Sequence, residues 1–256
     1  MAAGTKRKTA RVIAPAPPPS AGATLATLMK LGSAGAAELA QRYFKTAAGE
    51  YAAGDQFLGI KVPVLRVLVR DMKGAGLEVA LPLLKSGWHE ARAVALMLLV
   101  RLYERGDADT QKQIFDLYLK STAFINNWDL VDLSAAPIVG AWLGHNPAKQ
   151  QTVLTRLAKS ASLWERRIAI IATYHFIKQG DAKETLRIAK LLLKDEEDLI
   201  HKAVGWMLRE VGQRVSQQAE ETFLAATYRQ MPRTMLRYAI AKFAEPTRKR
   251  YLNGLV

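Results

Sequence analysis

The sequence predicts an all-α fold, an α-solenoid in which pairs of helices stack one on the next. Three observations carry this. Apolar residues recur at helical spacing in segment after segment, and no convincing period-two strand interrupts them. The segments are separated by short stretches of Gly, Asn, Asp or Ser, so successive helices should be antiparallel neighbours. Helix starts near Ser86, Asn126, Ser162 and Asp195 follow at intervals of 40, 36 and 33, with one more helix between each pair. Helix pairs recurring at about 35 to 45 residues are the signature of HEAT-like repeats, which stack into a curved body with a concave face.

Residues 1 to 22 are expected to form a separate disordered arm, basic and then Pro-rich, extended through Pro15 to Pro19. Residues 23 to 256 are expected to form one HEAT-like-repeat domain. In it, "PVLRVLVRDM" opens on Pro63, which suits a first helical position. "GWHEARAVALMLLVRLYERG" has helical spacing and stops at Gly106. "DTQKQIFDLYLKS", "NPAKQQTVLTRLAKSA", "SLWERRIAIIATYHFIKQG", "DAKETLRIAKLLLKD" and "DEEDLIHKAVGWMLREVG" follow. Ser162 and Glu165 have the Ser-x-x-Glu spacing of a capping box.

Composition bounds the function. Of 256 residues, 37 are Lys or Arg and 23 Asp or Glu, a formal charge of +14. Discounting Lys6, Arg7, Lys8 and Arg11 still leaves +10 (14 − 4), so the excess is not confined to the arm. Such a balance predisposes a protein to polyanions. With no cysteine, disulfides, thiol catalysis and thiolate-held metals are excluded. His89, His145, His175 and His201 show no metal-ligand spacing. No apolar run reaches the roughly 18 to 20 residues that span a bilayer, and the N-terminus has no apolar signal core. A cytoplasmic protein without metal or organic cofactor is expected, with no membrane partner.

The chemistry concentrates in "NNWDLVDLSA", residues 126 to 135. Asp129 falls in the first turn of a helix, where a carboxylate meets the N-terminal dipole. Asp132 lies a full turn deeper, on the face of Trp128, and the dipole does not account for it. It is either a buried acid held by a structural arginine or part of a site. In "SLWERRIAII", Arg166 and Arg167 stand close behind a helix start, where cations oppose the dipole, so an acid such as Asp132 or a bound phosphate should compensate them. Trp164 reads as core. In "IHKAVGWMLREVG", Lys202, Trp206 and Arg209 share one face at i, i+4 and i+7, and Gly205 permits a close approach to the backbone. A tryptophan between two cations is poor core and suits a nucleic-acid-facing surface.

Repeat spacing links these residues. Trp128 to Arg167 is 39, Arg167 to Trp206 is 39, and Trp88 to Trp128 is 40. A lone carboxylate on a basic surface weakens phosphate binding and so needs another purpose. Facing a transient cation is one: breaking an N-glycosidic bond builds oxocarbenium character that carboxylates and tryptophan faces stabilise. When the departing base is itself cationic, no strong general acid is required.

"FLGIKVPVLRVL", "NNWDLVD", "LWERRIAII" and "IHKAVGWMLREVG" together resemble the bacterial DNA alkylation repair family, the AlkD-type DNA glycosylases, over roughly residues 40 to 245. The resemblance implies a HEAT-like solenoid gripping duplex DNA in its concave basic face. It implies hydrolysis of the glycosidic bond of N3- and N7-alkylpurines without a base-insertion pocket. Carried onto this chain, it implies that Trp128 and Trp206 contact the lesion deoxyribose, that Asp132 stabilises the oxocarbenium and positions water, and that Arg167 holds the nearby backbone. Arg66, Lys202 and Arg209 match phosphate-contacting or neighbouring basic positions.

The expectation is a monofunctional glycosylase, monomeric and bacterial, acting at the nucleoid on double-stranded DNA that carries alkylated purines. No lysine joins the central set as a lyase nucleophile would. A non-catalytic HEAT-repeat protein binding damaged or branched DNA is the alternative, and it leaves Asp132 unexplained. A protein–protein scaffold leaves the charge unexplained as well.

Overall fold

The computed structural model describes residues 19–256. The arm expected over residues 1 to 22 lies outside the described residues as far as 18. Ser20 is already the N-cap of the first helix, its hydroxyl accepting from Ala23 N.

Every regular element among the described residues is a helix, with no strand and one isolated bridge between Gln56 and Trp88. The helices are α1 (Ala21–Leu31), α2 (Ala34–Tyr43), α3 (Val62–Asp71), α4 (Leu77–Leu84), α5 (His89–Arg105), α6 (Ala108–Lys120), α7 (Trp128–Ala135) and α8 (Ala141–His145). They continue as α9 (Pro147–Ala158), α10 (Leu163–Ala172), α11 (Tyr174–Lys178), α12 (Lys183–Leu191), α13 (Asp198–Arg214), α14 (Gln217–Thr227), α15 (Arg233–Ala239) and α16 (Glu245–Leu252). A π-helical stretch, Ala136–Gly140, joins α7 to α8. Pro137 lies in it, and a proline that cannot donate to the helical ladder favours such a local widening.

Two layers organise the stack. One runs α3, α5, α7, α10, α13, α15, each packed on the next. The other backs it, with α4 and α6 on α5, α9 on α10, and α12 and α14 on α13. Helices of the first layer begin at 89, 128, 163 and 198, so the repeat read from the sequence is present, displaced by three residues or fewer. Each is apolar toward its neighbours. Leu130, Val131 and Ser134 of α7 are wholly buried, as are Ile168, Ala169 and Ile170 of α10 and Ala203, Val204, Met207 and Leu208 of α13. One continuous core runs from Leu28 to Tyr251. Among the described residues no helix is long and apolar enough to cross a membrane.

The capping box at Ser162 is only half formed. The Ser162 hydroxyl accepts from Glu165 N at 3.4 Å, but the Glu165 carboxylate turns away and accepts from Thr122 Oγ1 at 2.8 Å. A tertiary partner outcompetes the reciprocal local bond.

Between α2 and α3 the chain takes an irregular path over the inner layer. Buried Glu90 of α5 holds its end, accepting from the backbone N–H groups of Leu58, Gly59 and Ile60 at 2.8, 2.7 and 3.1 Å. Gly59 has φ +79°, and a Cβ there would collide with the backbone of Ser33, Ala36 and Ala37. Only glycine meets both conditions, which is the physical content of the "FLGI" segment.

Candidate functional site

Helices α7, α10 and α13 lie side by side and open onto one cleft of about 490 Å³. Trp128 and Asp132 enter from α7, Arg167 from α10, and Lys202, Trp206 and Arg209 from α13. Six of the seven residues singled out in the sequence thus line one cavity.

The "NNWD" stretch divides its work. Asn127 is the buried N-cap of α7, its Oδ1 accepting from Trp128 N at 2.8 Å. Trp128 faces the cleft and is backed by a stack of rings: Phe44 lies 5.4 Å from it, Phe57 4.8 Å beyond Phe44, and His89 4.3 Å beyond Phe57. A tryptophan so clamped is rigid before any ligand arrives.

Asp129 does more than meet the helix dipole. Its Oδ2 pairs with His89 Nε2 at 2.8 Å, and His89 Nδ1 pairs with Asp55 Oδ2 at 2.9 Å. Asp55 is also bound by Arg92 at 2.6 Å. Burial alone would push the His89 pKa down. Hydrogen bonds and charge from Asp129 and Asp55 outweigh it and raise the value to about 9, so His89 is an imidazolium at neutral pH. The sequence offered no sign of this network, because its members come from an irregular segment and two different repeats.

Asp132 and Arg167 form a two-pronged pair. Arg167 Nε and Nη2 donate to Asp132 Oδ1 and Oδ2 at 2.9 and 2.8 Å, and Nη1 donates to the Leu199 carbonyl at 2.6 Å. The arginine side chain is 5 % exposed and the aspartate 19 %. The carboxylate therefore still meets the cleft while the guanidinium is committed to protein acceptors. The acid that the helix position of Arg167 calls for is thus Asp132, which Arg167 holds in place. Burial raises the Asp132 pKa above the ordinary carboxylate value, and Arg167 offsets part of the rise. Arg166 is compensated as well, by Asp195 at 2.6 Å.

On α13, Trp206 is half-buried and its indole N–H donates to Glu210 at 3.1 Å. Lys202 pairs with Asp198 at 2.7 Å, and that hydrogen bond raises its pKa. Gly205 does admit a close approach, but from α15: a Cβ would strike the Met235 carbonyl and Tyr238 Cβ.

Two residues lie outside the cleft. Arg66 is exposed on α3 and lines a neighbouring, mainly apolar cavity of about 630 Å³ on the other side of Trp128, which shares only Trp128 and Asp132 with the cleft. Trp88, although 40 residues before Trp128, is the N-cap of α5 and lies outside the cleft. Trp164 packs against the core, as its sequence setting implied. The sequence reading missed Tyr43, the last residue of α2, Lys45 and Tyr51 from the segment that follows it, and Tyr238 from α15, all of which line the cleft. Only the exposed aromatic character of that segment could have pointed to them.

A family model described as DNA alkylation repair enzyme matches residues 24–243. No curated protein matches the chain. A solved structure, a predicted DNA alkylation repair enzyme from Enterococcus faecalis, has the same fold, with a TM-score of 0.65 over 84% of this chain and 97% of that one at 17% identity. The family match spans α7, α10 and α13 and every residue that lines the cleft, and the chain belongs to the DNA alkylation repair enzyme family.

Proposed function

We propose that this protein is a monofunctional DNA glycosylase that hydrolyses the N-glycosidic bond of positively charged N3- and N7-alkylated purines in duplex DNA. One observation carries the reading: a partly exposed carboxylate, Asp132, fixed by Arg167, shares one cleft with Trp128 and Trp206, where Lys45, Lys202 and Arg209 outnumber the two further acids, Glu197 and Asp198. Such a surface attracts a phosphodiester strand, and the two tryptophans offer flat faces to a sugar.

The chemistry follows from charge. When the bond from C1′ to the purine nitrogen breaks, its electron pair leaves with the base. A cationic alkylpurine departs neutral and needs no proton. The positive charge passes to C1′ and the ring oxygen, where Asp132 faces it. Desolvation makes the carboxylate's charge costly in the resting protein, so a neighbouring cation that exists only in the transition state lowers the barrier. Water then bonds to C1′ and loses a proton toward Asp132. Arg167 orients the carboxylate through two hydrogen bonds, so no reorganisation accompanies the step.

Lys202 supports the monofunctional reading. An amine nucleophile must be deprotonated, and Lys202 is held as an ammonium by Asp198. We place the reaction in the bacterial cytoplasm at the nucleoid, carried out by a monomer.

The test is incubation with duplex carrying one N7-methylguanine, followed by alkaline cleavage at abasic sites. Strand breaks at the lesion are the expected result. A second reading, damaged-DNA binding without catalysis, is favoured by the Asp132–Arg167 pair itself, which would stand as structure alone. Retained lesion binding with no base release would establish that reading.

A further inference from the structure

Beside the cleft lies a second cavity of about 550 Å³ between α13, α15 and α16. It is lined by Lys202, Arg209, Arg237 and Arg248, with Asp198 and Thr234 among the remaining residues. Four cations face one carboxylate. That carboxylate is already taken, by Lys202 at 2.7 Å and by a hydrogen bond with Thr234. Arg237 is exposed and pairs with no carboxylate among the described residues. Arg209 shares Glu210 with Arg214, at 3.3 and 2.7 Å, and its Nε is buried with no acceptor. Arg248 pairs with Glu245 on its own helix, and its Nε is likewise buried without an acceptor. So much unspent donor capacity in one hollow is costly unless an anion completes it.

The two hollows are continuous, since Asp198, Lys202, Arg209 and Tyr238 line both. A strand whose sugar sits between the tryptophans continues in one direction into the second hollow, carrying a phosphate for every ~3.4 Å of duplex axis. Arg248 lies beyond residue 243, where the family match ends, so α16 adds a wall that the match does not cover.

We infer that this second hollow is a phosphate-binding subsite that grips the sugar–phosphate backbone on one side of the lesion, with Arg237 and Arg248 as its ligands. The inference rests on the reading that the cleft receives duplex DNA. It gives the complex a direction: one flank of the duplex is held by α15 and α16, the other is not. Arginine suits the task, because its planar fork can donate two hydrogen bonds to one phosphate.

The experiment measures affinity against salt for wild type, Arg237→Ala, Arg248→Ala and the double variant. Lys120→Ala, on the backing layer, controls for the loss of a remote charge. Three duplexes are used: lesion centred, 5′ flank removed, and 3′ flank removed. Each subsite variant should shallow the log–log salt slope by about one, which alters the change in affinity between 50 and 200 mM salt by roughly 3.5-fold. The effect should persist on one truncated duplex and vanish on the other. Exposed Arg237 can be replaced without disturbing the fold, so a failure of Arg248→Ala to fold leaves the test intact. Wild-type slopes for Arg237→Ala, slopes matching Lys120→Ala, or equal effects on both truncated duplexes would overturn the inference. So would thermal protection by inorganic phosphate that the double variant loses while its duplex affinity is unchanged, since the hollow would then serve a free anion. If the wild type itself shows no salt-dependent duplex binding, the reading of the cleft fails first, and the two failures are distinct.

Discussion

Asp132→Asn preserves side-chain shape and removes one charge, and the structure sets two separate consequences. The first is on stability. Arg167, 5 % exposed, donates to both carboxylate oxygens at 2.9 and 2.8 Å. An amide supplies one acceptor oxygen and turns an NH₂ group toward the other donor. One guanidinium N–H is then left unsatisfied, at about 1–3 kcal/mol, while the remaining bond and the Leu199 carbonyl keep the arginine from the about 3–5 kcal/mol expected when a buried partner is removed outright. Against a typical stability of about 5–15 kcal/mol the variant stays folded. The second consequence is on rate. Loss of one preorganised electrostatic stabiliser costs about 2.7–4 kcal/mol, or about 10²- to 10³-fold. Urea denaturation gives the folded fraction, single-turnover release of N7-methylguanine gives the rate of that fraction, and affinity for the lesion duplex is measured alongside. Affinity should be unchanged or tighter, because a carboxylate repels phosphate. Release at the wild-type rate by folded Asp132→Asn would refute the role assigned to this residue. A loss of release that merely tracks the loss of folded protein would return Asp132 to a structural part.

Three further outcomes are expected. His89 has a folded pKa raised from 6.5 to about 9, so its stabilising contribution is complete below pH 6.5 and disappears as pH rises through 9. A shift of that size corresponds to roughly 3 kcal/mol, and urea melts should show wild type ahead of His89→Gln at pH 6 with the gap nearly closed by pH 9.5. A gap independent of pH would show that the imidazolium does not hold the network. Asp129→Asn removes one of the two carboxylates on His89 and should cost about 1–3 kcal/mol, well above the few tenths that a dipole contact alone would cost, with base release by the folded fraction little changed. Denaturation that shows only tenths would restore the dipole reading. Gly205→Ala gains about 1 kcal/mol of helix propensity but drives a methyl into the Met235 carbonyl and Tyr238; overpacking of about 1–3 kcal/mol should prevail, and a melting temperature at or above wild type would contradict the packing of α13 on α15.

The sequence by itself determined the helices, their repeat, and six residues that meet in one cleft. Trp128, Asp132, Arg167, Lys202, Trp206 and Arg209 were legible because two periods govern them: the helical turn places residues four apart on one face, and the repeat places residues about 39 apart on one side of the stack. Tertiary structure alone decided the rest. It paired Arg167 with Asp132 and the Leu199 carbonyl, where the sequence left an acid or a bound phosphate open, since a buried guanidinium takes whatever acceptors its surroundings supply. It took Arg66 into a different cavity, because α3 starts only 27 residues before α5 and so falls short of the repeat that links the later helices. It carried Tyr43, Lys45 and Tyr51 across to helices some 80 to 160 residues later, and it enclosed His89 between Asp55 and Asp129. The segment that makes these contacts has no period, so nothing in its order of residues states which distant surface it will cover. That depends on which helices the stack has already brought together beneath it.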